Sequence, residues 1–307
     1  MNLNHRVGFV SDPFAVYFEC LTPDGSQQHP KVVMVHGGNH TGSCYMNTLE
    51  DKPGWAYRFA EHGYEVLIPD WPGHGLSGVL DLKTLTSEQT CEALAALIST
   101  VDGPVVLLAH SMGVAFGWRI AELCGNKIVA IVGIAPAPPG NIQPEPEILS
   151  ESEEGLVLRT QFRTLTLRNE GAVLATSSFV KDKLVGNSTQ FPLDRLDAYT
   201  KLLTYTGSRL IYERLNVRGS QVRVQEPACF RGEPVMIVTG GEDLEHPRHV
   251  DEEVADWLLA QGATTTFVWL PDQRIIGNGH MMMERNSDQV ADLILNWLDQ
   301  QKASTKQ

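Results

Sequence analysis

The sequence predicts an α/β fold, with a mostly parallel central sheet and helices on both faces. Two observations carry this. Several strands read as short, unbroken apolar runs, such as KVVMVHGG (31–38), PVVLLAH (104–110) and KIVAIVGIAPA (127–137), and such runs suit strands covered on both sides. These runs alternate with stretches of helical spacing, GWAYRFAEHG (54–63), TSEQTCEALAALIST (86–100) and GVAFGWRIAELCG (113–125). That alternation is the signature of helices packed on a parallel sheet.

Taken in order, RVGFV (6–10) and AVYFECL (15–21) read as strands joined by a turn at Asp12 and Pro13. The run 31–38 ends in glycines, Gly63 closes the first helix, and YEVLIPD (64–70) is the next strand. The second helix has Thr86 or Ser87 as its N-cap. At APAPPGNIQPEPE the proline content marks an exit from the sheet, and residues 139–227 read as helical or irregular with no strong strand. The alternation resumes with EPVMIVTGGED (233–243), a helix over 249–262, TTTFVWLP (264–271) and a helix over 287–301. KASTKQ reads as a frayed tail. The expected organisation is a core of residues 1–138 and 228–307 carrying a mainly helical cap at 139–227.

The chain of 307 residues is long enough for one large domain with such an insertion. Its formal net charge of −13 repels phosphate backbones and anionic lipid, so nucleic acid and membrane surfaces are excluded as expected partners. A small-molecule substrate is the expected partner, and the residues do not decide between a monomer and a homodimer. The five cysteines, Cys20, Cys44, Cys91, Cys124 and Cys229, are scattered and odd in number, as expected of free thiols in a reducing compartment. The start MNLNHRVGFV lacks the layout of a secretion signal, and no apolar run approaches the roughly 18 residues of a membrane span. A cytoplasmic location is the expectation.

Ligands of open parallel sheets bind beyond the carboxyl ends of the strands. Those ends carry His36-Gly37-Gly38-Asn39-His40, then Asp70-Trp71-Pro72-Gly73-His74-Gly75, then His110-Ser111-Met112-Gly113, then Gly240-Gly241-Glu242-Asp243, and finally Gly277-Asn278-Gly279-His280. The third departs by one residue, Ala109, from G-x-S-x-G, which sets a serine on a tight strand-to-helix turn. PDWPGHGLS resembles a D-x-P-G-x-G-x-S loop, and GGEDLEHP resembles a G-x-x-D-x-x-x-P segment. Together these motifs, with Ser111, Asp243 and His280 in that chain order, resemble the serine hydrolases of the α/β-hydrolase fold over nearly the whole core.

The resemblance implies an esterase-like enzyme with no metal or organic cofactor. Ser111 would be the nucleophile, since a serine hydroxyl needs an adjacent base, and His280 would be that base. Asp243 would orient His280, with its neighbour Glu242 as the rival. Gly38, favoured over Asn39, and Met112 would offer backbone N–H groups to an oxyanion. Asn39, His40, Trp71 and Met281 are the candidate substrate-binding residues. His36, His74, His110 and Asp70 read as structural, and His246 and His249 as surface residues. The aromatic and leucine content of the insertion points to a small, largely apolar substrate. Relatives with an aspartate nucleophile are disfavoured by Ser111. A C–C bond hydrolase or lyase using the same three residues, and a non-catalytic binding protein on this fold, are the alternatives.

Overall fold

The computed structural model describes residues 3–25 and 29–305. Eight strands form the central sheet: β1 (Leu3–Val10), β2 (Val16–Pro23), β3 (Lys31–Val35), β4 (Val66–Pro69), β5 (Val105–His110), β6 (Ile128–Ile134), β12 (Pro234–Thr239) and β13 (Thr264–Trp269). Their order is β1-β2-β4-β3-β5-β6-β12-β13. β1 pairs antiparallel with β2, and β2 antiparallel with β4. Every other neighbour is parallel.

Side-chain alternation along β5 explains why this strand lies mid-sheet. All six of its residues are buried. Val105, Leu107 and Ala109 join one apolar cluster with Leu94 of α2 (Ser87–Ser99), Phe116 of α3 (Met112–Cys124) and Leu258 of α7 (Arg248–Ala260). Val106 and Leu108 join the other, with Phe59 of α1 (Trp55–Glu61) and Ile294 of α8 (Ser287–Thr305). A strand with two apolar faces has no water-facing side, so helices must cover both. α8 runs to Thr305, so the expected tail is largely helical, while Lys306 and Gln307 lie outside the described residues.

Thr86 is the N-cap of α2. Its hydroxyl accepts from the Gln89 amide, and the Gln89 side chain accepts from the Thr86 amide. This reciprocal box satisfies two amides that the helix itself cannot. Thr86→Ala is expected to lower unfolding stability by about 1 kcal/mol, read from urea denaturation midpoints.

The insertion between β6 and β12 departs from the mainly helical expectation. Its first part is an antiparallel sheet of β7 (Glu147–Ser152), β8 (Gly155–Arg159) and β9 (Thr164–Arg168). The period is two: Leu156, Leu158 and Leu167 turn inward onto Val217, while Arg159 and Arg168 are exposed. β10 (Ala172–Leu174) then pairs with the distant β11 (Tyr205–Gly207). The helical part consists of α4 (Ser177–Phe179), which runs into π-helical turns over Val180–Val185, of α5 (Leu196–Leu202) and α6 (Ser208–Arg214), and of short 3-10 turns at Leu193–Arg195 and Val217–Gly219.

The five cysteines are free, two of them buried and three partly buried. Among the described residues, no helix is long and apolar enough to cross a membrane.

Candidate active site

Ser111 sits between the end of β5 and the start of α3, with φ 52° and ψ −125°. A positive φ at a non-glycine residue costs about 1–3 kcal/mol and persists only when its surroundings enforce it. Here the Ser111 amide donates to Ile134 O (2.9 Å), and its carbonyl accepts from Val114 N (2.9 Å) and Ala137 N (3.1 Å). Gly113 is required for the turn, because a Cβ there would collide with the carbonyl oxygen of His36. Ala109 needs no glycine: a Cβ built at Gly117 on α3 would lie 3.6 Å from the Ala109 methyl, an ordinary contact.

The hydroxyl of Ser111 donates to His280 Nε2 (2.8 Å), and His280 Nδ1 donates to Asp243 Oδ2 (2.7 Å). The tautomer follows from the partners, since a carboxylate only accepts. Asp243 also accepts from Glu245 N at 3.1 Å. Burial works against the charge on Asp243, but His280 and His246 outweigh it and hold its pKa well below the carboxylate range. Burial pulls the pKa of His280 below that of a free imidazole, against the pull of Asp243. The ring is therefore neutral at neutral pH, with Nε2 free to take a proton. Glu242 is turned elsewhere and accepts from the Thr189 amide (2.6 Å) and hydroxyl (3.1 Å).

The neighbouring histidines shape the site. His110 donates from Nε2 to the His280 carbonyl (3.0 Å), which fixes the backbone of that residue. His36 donates to Gly37 O (2.8 Å), accepts from Trp71 N (3.2 Å) and stacks on the Trp71 ring at 4.5 Å. His74 donates to Pro72 O (2.9 Å) and accepts from Gly207 N of β11 (3.0 Å). Asp70 accepts from Gly42 N and Leu76 N, both at 2.8 Å, and so ties down its loop.

Gly38 lies against the elbow, since a Cβ there would be 3.5 Å from Met112 Sδ and 3.4 Å from Thr206 Oγ1. His40 donates to Gly38 O (2.8 Å) and accepts from the Tyr199 hydroxyl (2.8 Å) of α5. Burial lowers the His40 pKa to about 4, so this imidazole is neutral as well. Met281 is buried with Met282 and Met283 in the apolar cluster that Leu184, Phe191 and Tyr199 complete from the insertion.

One sequence expectation, the surface placement of His246, is corrected, and the surroundings of Asn39 and Trp71 are defined. Asn39 is bonded to the insertion. Its amide donates to Thr206 Oγ1 (2.7 Å), its side chain donates to Val173 O (3.0 Å) and Thr204 O (3.1 Å), and its carbonyl accepts from Thr204 N (2.9 Å). Trp71 is fully buried, stacked on the His36 ring and packed against Phe116, and its indole Nε1 has no hydrogen-bond partner among the described residues. His246 is not on the surface: it is 4% exposed and stacked on His280. Its partner Asp251 lies five residues on, across the start of α7, and that spacing was the only sequence signal for it.

The insertion closes over these residues. Glu245 is paired with Arg163 (2.9 Å) and Lys183 (2.7 Å), and Ser188 donates to Gly277 O (2.7 Å). Ser111 is left 9% exposed and His280 1%. A cavity of about 370 Å³ opens instead beside Lys83, Arg168, Arg209 and Tyr212, and no candidate residue lines it. Asp243, His246 and His280 each bring one ligand-type atom to within 4.8 Å of the others. All three already hold hydrogen-bond partners: His280 and Asp243 bond each other, and His246 bonds Asp251.

Known proteins share this arrangement of the chain. The Probable secreted lipase phiG of Fungal sp. (strain ATCC 74256) is 23% identical over 96% of this chain and 88% of its own. The magnesium-chelatase 30 kDa subunit of Rhodobacter capsulatus is 24% identical over 90% of this chain and 89% of its own. Among solved structures, an esterase from Exiguobacterium antarcticum superposes with a TM-score of 0.64 at 15% identity, over 95% of this chain and 98% of that one. Residues 32–293 match the Alpha/beta hydrolase family, and the chain belongs to that family.

Proposed function

We propose that the protein is a serine hydrolase that cleaves a carboxylic ester of a small, largely apolar substrate through an acyl-enzyme on Ser111. The observation that carries this reading is the line from Ser111 Oγ through His280 to Asp243, with links of 2.8 and 2.7 Å, on a strained elbow. Similarity to proteins named lipase and esterase supports the choice of ester bond.

Ser111 Oγ bonds to the carbonyl carbon as its proton passes to His280 Nε2. Asp243 stabilises the imidazolium without taking its proton. The N–H groups of Gly38 and Met112 receive the oxyanion. His280 then protonates the leaving alkoxide as the C–O bond breaks. Water attacks the acyl group, giving a proton to His280 that returns to Ser111. Residues 139–227 act as the cap, and substrate entry requires it to lift from the buried serine.

An alkyl fluorophosphonate tests the reading. One adduct per chain is expected at Ser111 by peptide mass, with hydrolysis of a short-chain ester lost in step. An adduct elsewhere, or fully labelled protein that still hydrolyses esters, overturns it. Lactone, amide and β-diketone substrates run beside the ester rank the bond types, and the ester is expected to be fastest.

A further inference from the structure

A second imidazole–carboxylate pair lies against the candidate base. His246 Nδ1 donates to Asp251 Oδ1 (2.9 Å), and Asp251 Oδ2 accepts from the Thr239 hydroxyl (2.6 Å). Thr239 ends β12, Asp251 lies in the first turn of α7, and His246 is on the loop between them. The pair is sealed, with side chains 5% and 0% exposed. The His246 ring lies nearly parallel to that of His280, at 28° with centroids 5.2 Å apart. The Ser111–His280–Asp243 hydrogen bonds do not use it.

We propose that the His246–Asp251 pair is a positioning element for His280: it walls one face of the base and places beside it an imidazole anchored on its own buried carboxylate. The proposal rests on His280 being the base.

A carboxylate with no solvent exposure needs a charged or hydrogen-bonded partner, and here a hydroxyl and an imidazole supply it. Asp251 and Asp243 together outweigh burial and raise the pKa of His246. Burial lowers those of His36, His40, His74, His110 and His280, so His246 stands apart from these five. The groups facing His246 are Asp251 from α7, Asp243 from its own loop, His280 from the loop after β13, and Lys183 from the insertion. His280 in turn faces Asp243, His246, Lys183, Glu245, His40 and the ring of His110 at 4.9 Å. A positive His246 disfavours a second positive charge on His280 and favours the anionic form of Asp243. In its protonated form His246 thereby holds His280 unprotonated until Ser111 transfers its proton.

The readout is the second-order rate of Ser111 phosphonylation by the fluorophosphonate as a function of pH. The acid limb of that profile reports protonation of the free base. His246→Phe keeps the ring stack and removes the charge, so the midpoint of the limb is expected to rise by about half to one pH unit. Asp251→Asn is expected to move it the same way, because a buried His246 without its counter-charge discharges. NMR titration of the histidine ring protons in the unaltered protein covers the case of a variant that fails to fold, and there His246 should titrate at higher pH than His280. A limb unmoved in both variants, a limb moved to lower pH, or a His246 that titrates below His280 overturns the proposal. Failure of the wild type to be labelled at Ser111 would instead overturn the base assignment beneath it.

Discussion

Asp243→Asn is expected to lower kcat for ester hydrolysis by about four orders of magnitude while leaving the fold intact by circular dichroism. The carboxylate accepts from His280 Nδ1 at 2.7 Å and from Glu245 N at 3.1 Å, and its side chain is fully buried. An asparagine can present its NH₂ to His280. The imidazole would then have to accept at Nδ1 and carry its proton on Nε2, facing Ser111, where it cannot act as a base. The counter-charge for the imidazolium is lost as well. Glu242→Gln is the matched control. Its carboxylate is held by Thr189 and makes no bond to His280, so kcat is expected to stay within about threefold. Steady-state rates on one ester measure both variants. Equal losses in the two would mean that the acid has been assigned to the wrong neighbour.

Gly113→Ala is expected to lower kcat/KM by at least about 10²-fold and to destabilise the protein by roughly 1–3 kcal/mol. The added methyl would meet the His36 carbonyl oxygen and lie 3.0 Å from that of Val35. Both are backbone atoms at the end of β3 and the turn that follows it, and they cannot rotate aside. The start of α3 must retreat, carrying Met112 and Ser111 out of line with His280. Ala109→Gly removes a methyl that would stand 3.6 Å from even an added Cβ at Gly117, and activity is expected to remain within an order of magnitude. Ester kinetics and thermal melts on the two variants separate the cases, and equal activities would show that the elbow tolerates a Cβ at position 113.

The core was legible because its signals are local. β5 and β6 are covered on both faces and read as continuous apolar runs, and the glycine-bearing turns follow directly from strand ends. Ser111, Asp243 and His280 could be singled out because each sits on such a turn. The insertion was harder to read. Leu156, Leu158 and Leu167 do alternate, but among enough Thr, Arg and Glu to hide a strand. β10 finds its partner more than 30 residues away, and no local pattern encodes that pairing. The partners of Asn39 and Trp71 were hidden for the same reason. Neighbours in sequence say that they lie near the site, whereas partners distant in sequence decide which way they turn.

The four hydrogen bonds of Asn39 bear on how freely such a protein could exchange its parts. The turn that would receive an oxyanion belongs to the core by sequence, yet Thr206, Val173 and Thr204 hold it in shape, and all three lie in the insertion. The two halves are thus a single structural unit. A graft that replaced residues 139–227 with a foreign segment would also remove the mould in which the turn is set. Changing the insertion therefore has to proceed residue by residue around the β10–β11 ladder, with that ladder kept.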